Sequence, residues 1–176
     1  MKNDDKAASR RQYLTFLLSS EEYAVDVLSV KEIIEYGDVT TVPGTPAHVR
    51  GVINLRGSVV PVVDLAIKLG REPSPLSRRS CIVIVETGSA GERAVTGVVA
   101  DAVNQVIEFA PGDIEPPPVF GTGVRLLYLD GIAKTSGSFV LVLNMGNLLS
   151  ESAQALGVTE QETPAETPVP VLAEKA

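Results

Sequence analysis

Two stretches of this chain repeat one another. Gly51-Val52-Ile53-Asn54-Leu55-Arg56-Gly57-Ser58-Val59-Val60 and Gly131-Ile132-Ala133-Lys134-Thr135-Ser136-Gly137-Ser138-Phe139-Val140 each run from a glycine through five residues to Gly-Ser and an apolar stretch. Asp64 and Asn144 follow at matching distances, and upstream the segment 25–36 loosely resembles 99–109. A unit carried twice predicts two similar halves, here dividing near residues 69–80. In each copy the second glycine, Gly57 or Gly137, offers the positive φ that a tight hairpin needs. Arg56 then projects from the first tip. Arginine is not the preferred residue at the other central position of a type I′ turn, so the turn type stays open at this point.

The halves read as β-rich. Short runs of Val, Ile, Leu and aromatic residues lie at 13–18, 52–55, 59–63, 81–85, 94–99, 103–109, 126–128 and 139–143, most of them separated by turn residues. Close spacing without long amphipathic helices favours small barrels or a sandwich over a βαβ sheet. Several runs are apolar on both faces, as strands are where two small sheets share a core. Helices are expected to be few and short. The clearest begins at Ser29-Val30-Lys31-Glu32, where serine and glutamate have capping-box spacing and Leu28 and Ile33 suit a hydrophobic staple; it would run to about Tyr36 and be held by Val30, Ile33 and Ile34. Asp64 and Asn144 are plausible caps for two more short helices.

Residues 151–176 are rich in Pro, Thr and Glu without helical periodicity and read as a flexible acidic tail, with 1–11 a shorter one, which leaves 12–150 as the folded body. The formal net charge is −7. With no basic stripe and no tryptophan, the surface should repel nucleic acid and anionic lipid. No apolar run is long enough to span a bilayer, so direct membrane insertion is not expected and the cytoplasm is the expected compartment.

Few residues have the makings of catalysis. The single cysteine, Cys81, lies in an apolar run and reads as a buried small side chain. The single histidine, His48, follows the turn-forming Pro43-Gly44-Thr45-Pro46. Gly121-Thr122-Gly123 lacks the Gly-Lys-Ser/Thr of a phosphate loop, and 111–124, with Pro116-Pro117-Pro118, reads as an ordered loop of polyproline character. Glu32 and Glu35 fit capping and solubility better than a paired-acid active site. Neither a catalytic group nor a metal or cofactor is expected. Arg56 stands out as an arginine on a rigid turn, the kind of anchor interfaces use.

The stretch Val49-Arg50-Gly51-Val52-Ile53-Asn54-Leu55-Arg56-Gly57-Ser58-Val59-Val60-Pro61-Val62-Val63-Asp64-Leu65 resembles the signature of the CheW family. The likeness extends to Glu22–Val27, to Val30-Lys31-Glu32-Ile33-Ile34, to Thr96-Gly97-Val98-Val99-Ala100-Asp101-Ala102-Val103, and to Gly131 with 144–149. It implies a mainly β protein: two SH3-like five-stranded β-barrels packed on a shared hydrophobic core, with a few short helices and strands open to exchange between halves. It also implies a chemotaxis adaptor that couples the cytoplasmic tip of methyl-accepting chemoreceptors to the regulatory domain of a CheA-type histidine kinase. By motif position Val30 and Gly51 fall at the kinase contact and Arg56, Gly97 and Val99 at the receptor contact, with Glu32 and Val103 adjacent to it. A CheW-like adaptor of another chemosensory-like pathway, such as twitching motility, or a small-molecule-binding β-barrel are the other readings.

Overall fold

The computed structural model describes residues 10–89, 91–117 and 126–156; the expected tails beyond them and Gly121–Gly123 lie outside the described residues. In chain order the elements are β1 (Arg11–Leu18), β2 (Glu21–Asp26), β3 (Val30–Glu35), β4 (Val49–Leu55), β5 (Ser58–Val63), α1 (Leu65–Lys68), β6 (Cys81–Ser89), β7 (Glu92–Ala100), β8 (Ala102–Phe109), β9 (Ile114–Glu115), β10 (Leu129–Thr135), β11 (Ser138–Leu143) and α2 (Met145–Leu156). β1 thus opens at Arg11 and α2 runs on to Leu156, each inside a segment read as a tail.

The strands form two small barrels. A central barrel has the order β3-β6-β7-β5-β4, and a terminal barrel, built from both ends of the folded body, has the order β8-β1-β2-β11-β10-β9. Strand for strand the orders correspond: β3 with β8, β6 with β1, β7 with β2, β5 with β11, β4 with β10. Each contains one parallel junction, β5 beside β7 and β11 beside β2. On the outer flank of the hairpin, β9 pairs with β10 through Ile132 and Glu115, and Thr40 bridges to Val52 of β4.

This correspondence specifies which strands are exchanged between the halves. A boundary at 69–80 separates the two copies of the repeat but not the two barrels, because each copy gives its first two strands to the other's barrel. β1 and β2 close onto β8 and β11, while β6 and β7 close onto β3 and β5. The physical reason is cover: β1 and β6 are apolar on both faces and need a sheet on each side. On β6, Ile82 and Ile84 enter the central barrel with Ile53, Val60, Val62 and Val99. Cys81, Val83 and Val85 face the other way, into a core between the barrels with Leu14, Phe16, Leu18 and Leu149. The terminal barrel encloses Tyr13, Ala24, Phe109, Ala133, Val140 and Val142.

The segment read as a helix from Ser29 is a strand. Only Val27–Ser29 turns, as one 3-10 turn capped by Asp26, whose carboxylate accepts a hydrogen bond from the Leu28 N–H at 2.9 Å. From Val30 the burial alternates residue by residue, and the backbone pairs with β6 from Val30–Val85 to Glu35–Cys81. Three β-branched residues favour that pleat, and a ladder to β6 outweighs a capping box on so short a helix. The expected staple is absent: Leu28 is 88% exposed. The run 126–128 is likewise not a strand but a 3-10 turn that leads Tyr128 into the inter-barrel core.

Asp64 and Asn144 cap α1 and α2: the Asp64 carboxylate accepts from the Ala66 N–H at 3.0 Å, and the Asn144 side-chain oxygen from the Asn147 N–H at 2.9 Å. Asp64 does more. Fully buried, it accepts from the Arg50 guanidinium at 2.7 and 3.1 Å and from the backbone N–H and hydroxyl of Ser74 at 3.1 and 3.2 Å. One carboxylate thus ties the long connection before β6 to β4 and α1.

Candidate interaction site at the first hairpin

The β4–β5 hairpin closes with Leu55 opposite Ser58, leaving Arg56 and Gly57 as a two-residue loop. Their φ values are 51° and 88°, both in the left-handed region, which is the signature of a type I′ turn. For arginine that conformation costs on the order of 1 kcal/mol. Two contacts hold it. The Asn54 side-chain oxygen accepts from the Gly57 N–H at 2.8 Å, and the guanidinium meets Glu32 through both terminal nitrogens at 2.9 Å each. Arg56 is nonetheless 77% exposed, so its charge is offset by Glu32 yet presented to solvent.

A β-bulge brings Glu32 there. Between Val30 and Glu32 the register against β6 slips by one, so Lys31 is the extra residue and both Lys31 and Glu32 border one cleft of about 580 Å³. Lys31 Nζ lies 2.7 Å from a Glu86 carboxylate oxygen, and Arg93 of β7 reaches the other oxygen at 3.1 Å. The Lys31 ammonium, aided by Arg93, holds the Glu86 carboxyl below its ordinary range against a smaller opposing effect of desolvation. Val59, 60% exposed, supplies an apolar edge.

Of the residues singled out by motif, Arg56 and Glu32 meet directly, and Val30 stands half-buried at the start of the same strand. The others turn inward. Gly51 sits at a β4 bulge with φ 147°, where a Cβ would lie 2.1 Å from the Thr40 carbonyl oxygen. At Gly97 a Cβ would fall 2.6 Å from an Ile82 methyl, and Val99 is fully buried in the central barrel. Val103, on β8, packs against the inter-barrel core. All but Val103 therefore belong to the central barrel, kinase and receptor assignments alike.

Lys31, Glu86 and Arg93 are functional candidates that sequence reasoning passes over, because a bulge and a cross-strand diagonal bring them together. A legible signal did exist for the exposed apolar positions: Val59 and Phe139 occupy the same place in the two repeats. Phe139, 66% exposed, lies on a groove of about 1080 Å³ on the terminal barrel, floored by Leu17, Ile132 and Leu141 and edged by the Lys134–Glu115 pair at 2.8 Å. The two hairpins thus border different surroundings: Val59 edges a cleft whose charged residues are mostly cations, and Phe139 a larger, more apolar groove that also carries Glu21, Glu22 and Arg71.

Cys81 and His48 have no such setting. Cys81 is buried in the inter-barrel core, and desolvation pushes its thiol up, away from the reactive thiolate. His48 stands half-buried in a turn just before β4. No helix among the described residues is long and apolar enough to cross a membrane.

Comparison with known proteins agrees with this architecture. The protein-family model described as CheW-like domain matches residues 12–153. Chemotaxis protein CheW of Klebsiella aerogenes is 32% identical over 146 residues, covering 83% of this chain and 86% of that protein. Protein FrzA of Myxococcus xanthus is 30% identical over 151 residues, covering 85% and 91%. Among solved structures, the scaffolding protein TtCheW from Thermoanaerobacter tengcongensis superposes with a TM-score of 0.71 at 34% identity, covering 79% of this chain and 87% of that one. Two strand-exchanged barrels around a common core, the hairpin motif and near full-length similarity lead to one conclusion: the chain belongs to the CheW family.

Proposed function

We propose that this protein is a non-catalytic coupling scaffold of chemotaxis signalling, which holds the cytoplasmic tip of a chemoreceptor and the regulatory domain of a CheA-type histidine kinase in one assembly. The observation that carries this reading is the CheW-like match across residues 12–153 together with Arg56, held on the hairpin tip by Glu32 yet exposed to solvent. A coupler needs two partners bound at once, and two joined barrels offer more than one exposed face on which to hold them. Coupling then follows as linkage: if the bound receptor changes the kinase's affinity for the scaffold, the kinase changes the receptor's by the same factor.

The exposed Arg56 and its partner Glu32 make the receptor contact, and Val30 lies at the kinase contact. Gly51, Gly97, Val99 and Val103 act on these contacts through the shape of the barrels that carry them. The scaffold works in the cytoplasm and reaches the membrane only through its receptor partner.

Arg56→Glu is the direct test. The substitution places a carboxylate against Glu32, and with an unchanged circular dichroism spectrum it should weaken binding of a purified receptor cytoplasmic fragment by about tenfold or more, equivalent to roughly 1.4 kcal/mol. Binding to the kinase should hold, while receptor-dependent kinase activation in a reconstituted mixture should fall. Receptor binding equal to that of the parent chain would remove the hairpin from the interface.

A further inference from the structure

The cleft beside Arg56 has a charge balance opposite to that of the molecule. The chain carries a net charge of −7, yet the charged residues lining this cleft are Lys31, Arg56 and Arg93 against Glu32 alone. The second nearby carboxylate, Glu86, pairs with Lys31 and Arg93 without lining the cleft. Both carboxylates are the more buried members of their pairs, at 24% side-chain exposure, while the three cations reach 50%, 77% and 66%. What faces solvent is therefore a positive rim with its counter-charges held behind it.

That rim is also exchangeable. Glu86 engages Arg93 through one guanidinium nitrogen and Lys31 through one oxygen, leaving donors on both cations for another acceptor. Exposed pairs of this kind contribute little to stability, so the cations can be shared with an incoming carboxylate at small cost. On an otherwise acidic surface, a small positive rim favours approach of an anionic segment there and disfavours it elsewhere.

We propose that this cleft docks an acidic segment of the receptor, with Lys31 and Arg93 joining Arg56 in meeting its carboxylates and Val59 covering an adjacent apolar side chain. Lys31 and Arg93 are then specificity-determining residues: they select the charge of the partner, whereas Arg56 fixes its place on the hairpin. The inference rests on the reading of the Arg56 hairpin as the receptor contact.

The test uses the full chain, a purified receptor cytoplasmic fragment and the purified kinase, with dissociation constants measured at low and at high salt. The Lys31→Gln/Arg93→Gln double variant should bind the receptor fragment roughly fivefold to tenfold more weakly at low salt, with a flatter salt dependence. Its melting temperature and kinase affinity should be unchanged. Parent-like receptor affinity and salt slope would overturn the proposal, as would an equal loss toward kinase and receptor. If the double variant binds like the parent while Arg56→Glu does not, the cation rim falls and the hairpin contact stands. If both bind like the parent, the hairpin contact falls as well.

Discussion

Tyr23 illustrates how much a single side chain can depend on its neighbours here. Its ring is buried in the inter-barrel core near Phe16, with 6.2 Å between ring centroids, and its hydroxyl donates to Glu21 at 3.0 Å. Burial pushes its pKa up to about 12 from 10.0, with the Arg71 cation opposing and Glu21 adding. The neutral phenol is therefore favoured by folding, and that stabilisation is fully present below pH 10 and lost as pH rises toward about 12. A two-unit shift corresponds to on the order of 2–3 kcal/mol. Alkaline unfolding of the parent chain, followed by circular dichroism against tyrosinate absorbance, should fall in that window, and Tyr23→Phe should unfold at higher pH. Identical midpoints would show that Tyr23 ionises without opposing the fold. At the same scale, Gly51 and Gly97 show why motif positions need a structure: they match the family stretch, but their duty is to let Thr40 and Ile82 come close.

Among elements, the long connection between α1 and β6 owes its position to Asp64. It is held by a buried carboxylate whose acceptors meet Arg50, Ala66 and Ser74. Asp64→Ala leaves the half-buried Arg50 guanidinium without that partner and removes the α1 cap, so a loss of roughly 3–5 kcal/mol is expected in urea unfolding. Asp64→Asn keeps a cap acceptor and should lose less; equal losses would mean that the charge carries the whole effect and the cap none of it. Capping residues of this sort are legible because they act within a few positions of the helix they start, as Asp64 and Asn144 do. The hairpins are legible for the same reason, since Gly-Ser before an apolar run is a local instruction. β3 is not. Its Ser-x-x-Glu pattern reads as a helix start, while the partner that makes it a strand, β6, lies some fifty residues along the chain. The Lys31–Glu86–Arg93 cluster is illegible for a like reason, being made by a bulge on β3 and a diagonal across β6 and β7. Arg56 and Glu32 were both marked, but their bidentate pairing depends on that same bulge.

For the whole molecule, the repeat announced two barrels yet not how they share strands, because the pairing that closes each barrel joins different copies of the repeat. In the intact chain neither copy closes a barrel alone. Cutting the chain within 69–80 should give fragments that are unfolded or aggregated when separate and that regain the parent spectrum when mixed in equal amounts. Cooperative folding of either fragment alone would mean that local hairpins suffice. In the intact chain, urea unfolding should show one transition by circular dichroism and by tyrosine fluorescence, since β1, β2, β6 and β7 all contribute to the core between the barrels.

The parallel junction between β2 and β11 also imposes an order on biosynthesis. β2 ends at Asp26 and its neighbour begins at Ser138, so the first hairpin leaves the ribosome long before the strand that covers its edge exists. At translation rates of roughly 5–20 residues per second, that edge stays open for on the order of ten seconds. The central barrel can close earlier, once β7 has emerged, and offers the nascent β1–β2 hairpin an apolar wall to rest on. The newborn chain is thus expected to build from its middle outward, with its N-terminal hairpin a client for chaperones until the last strand arrives.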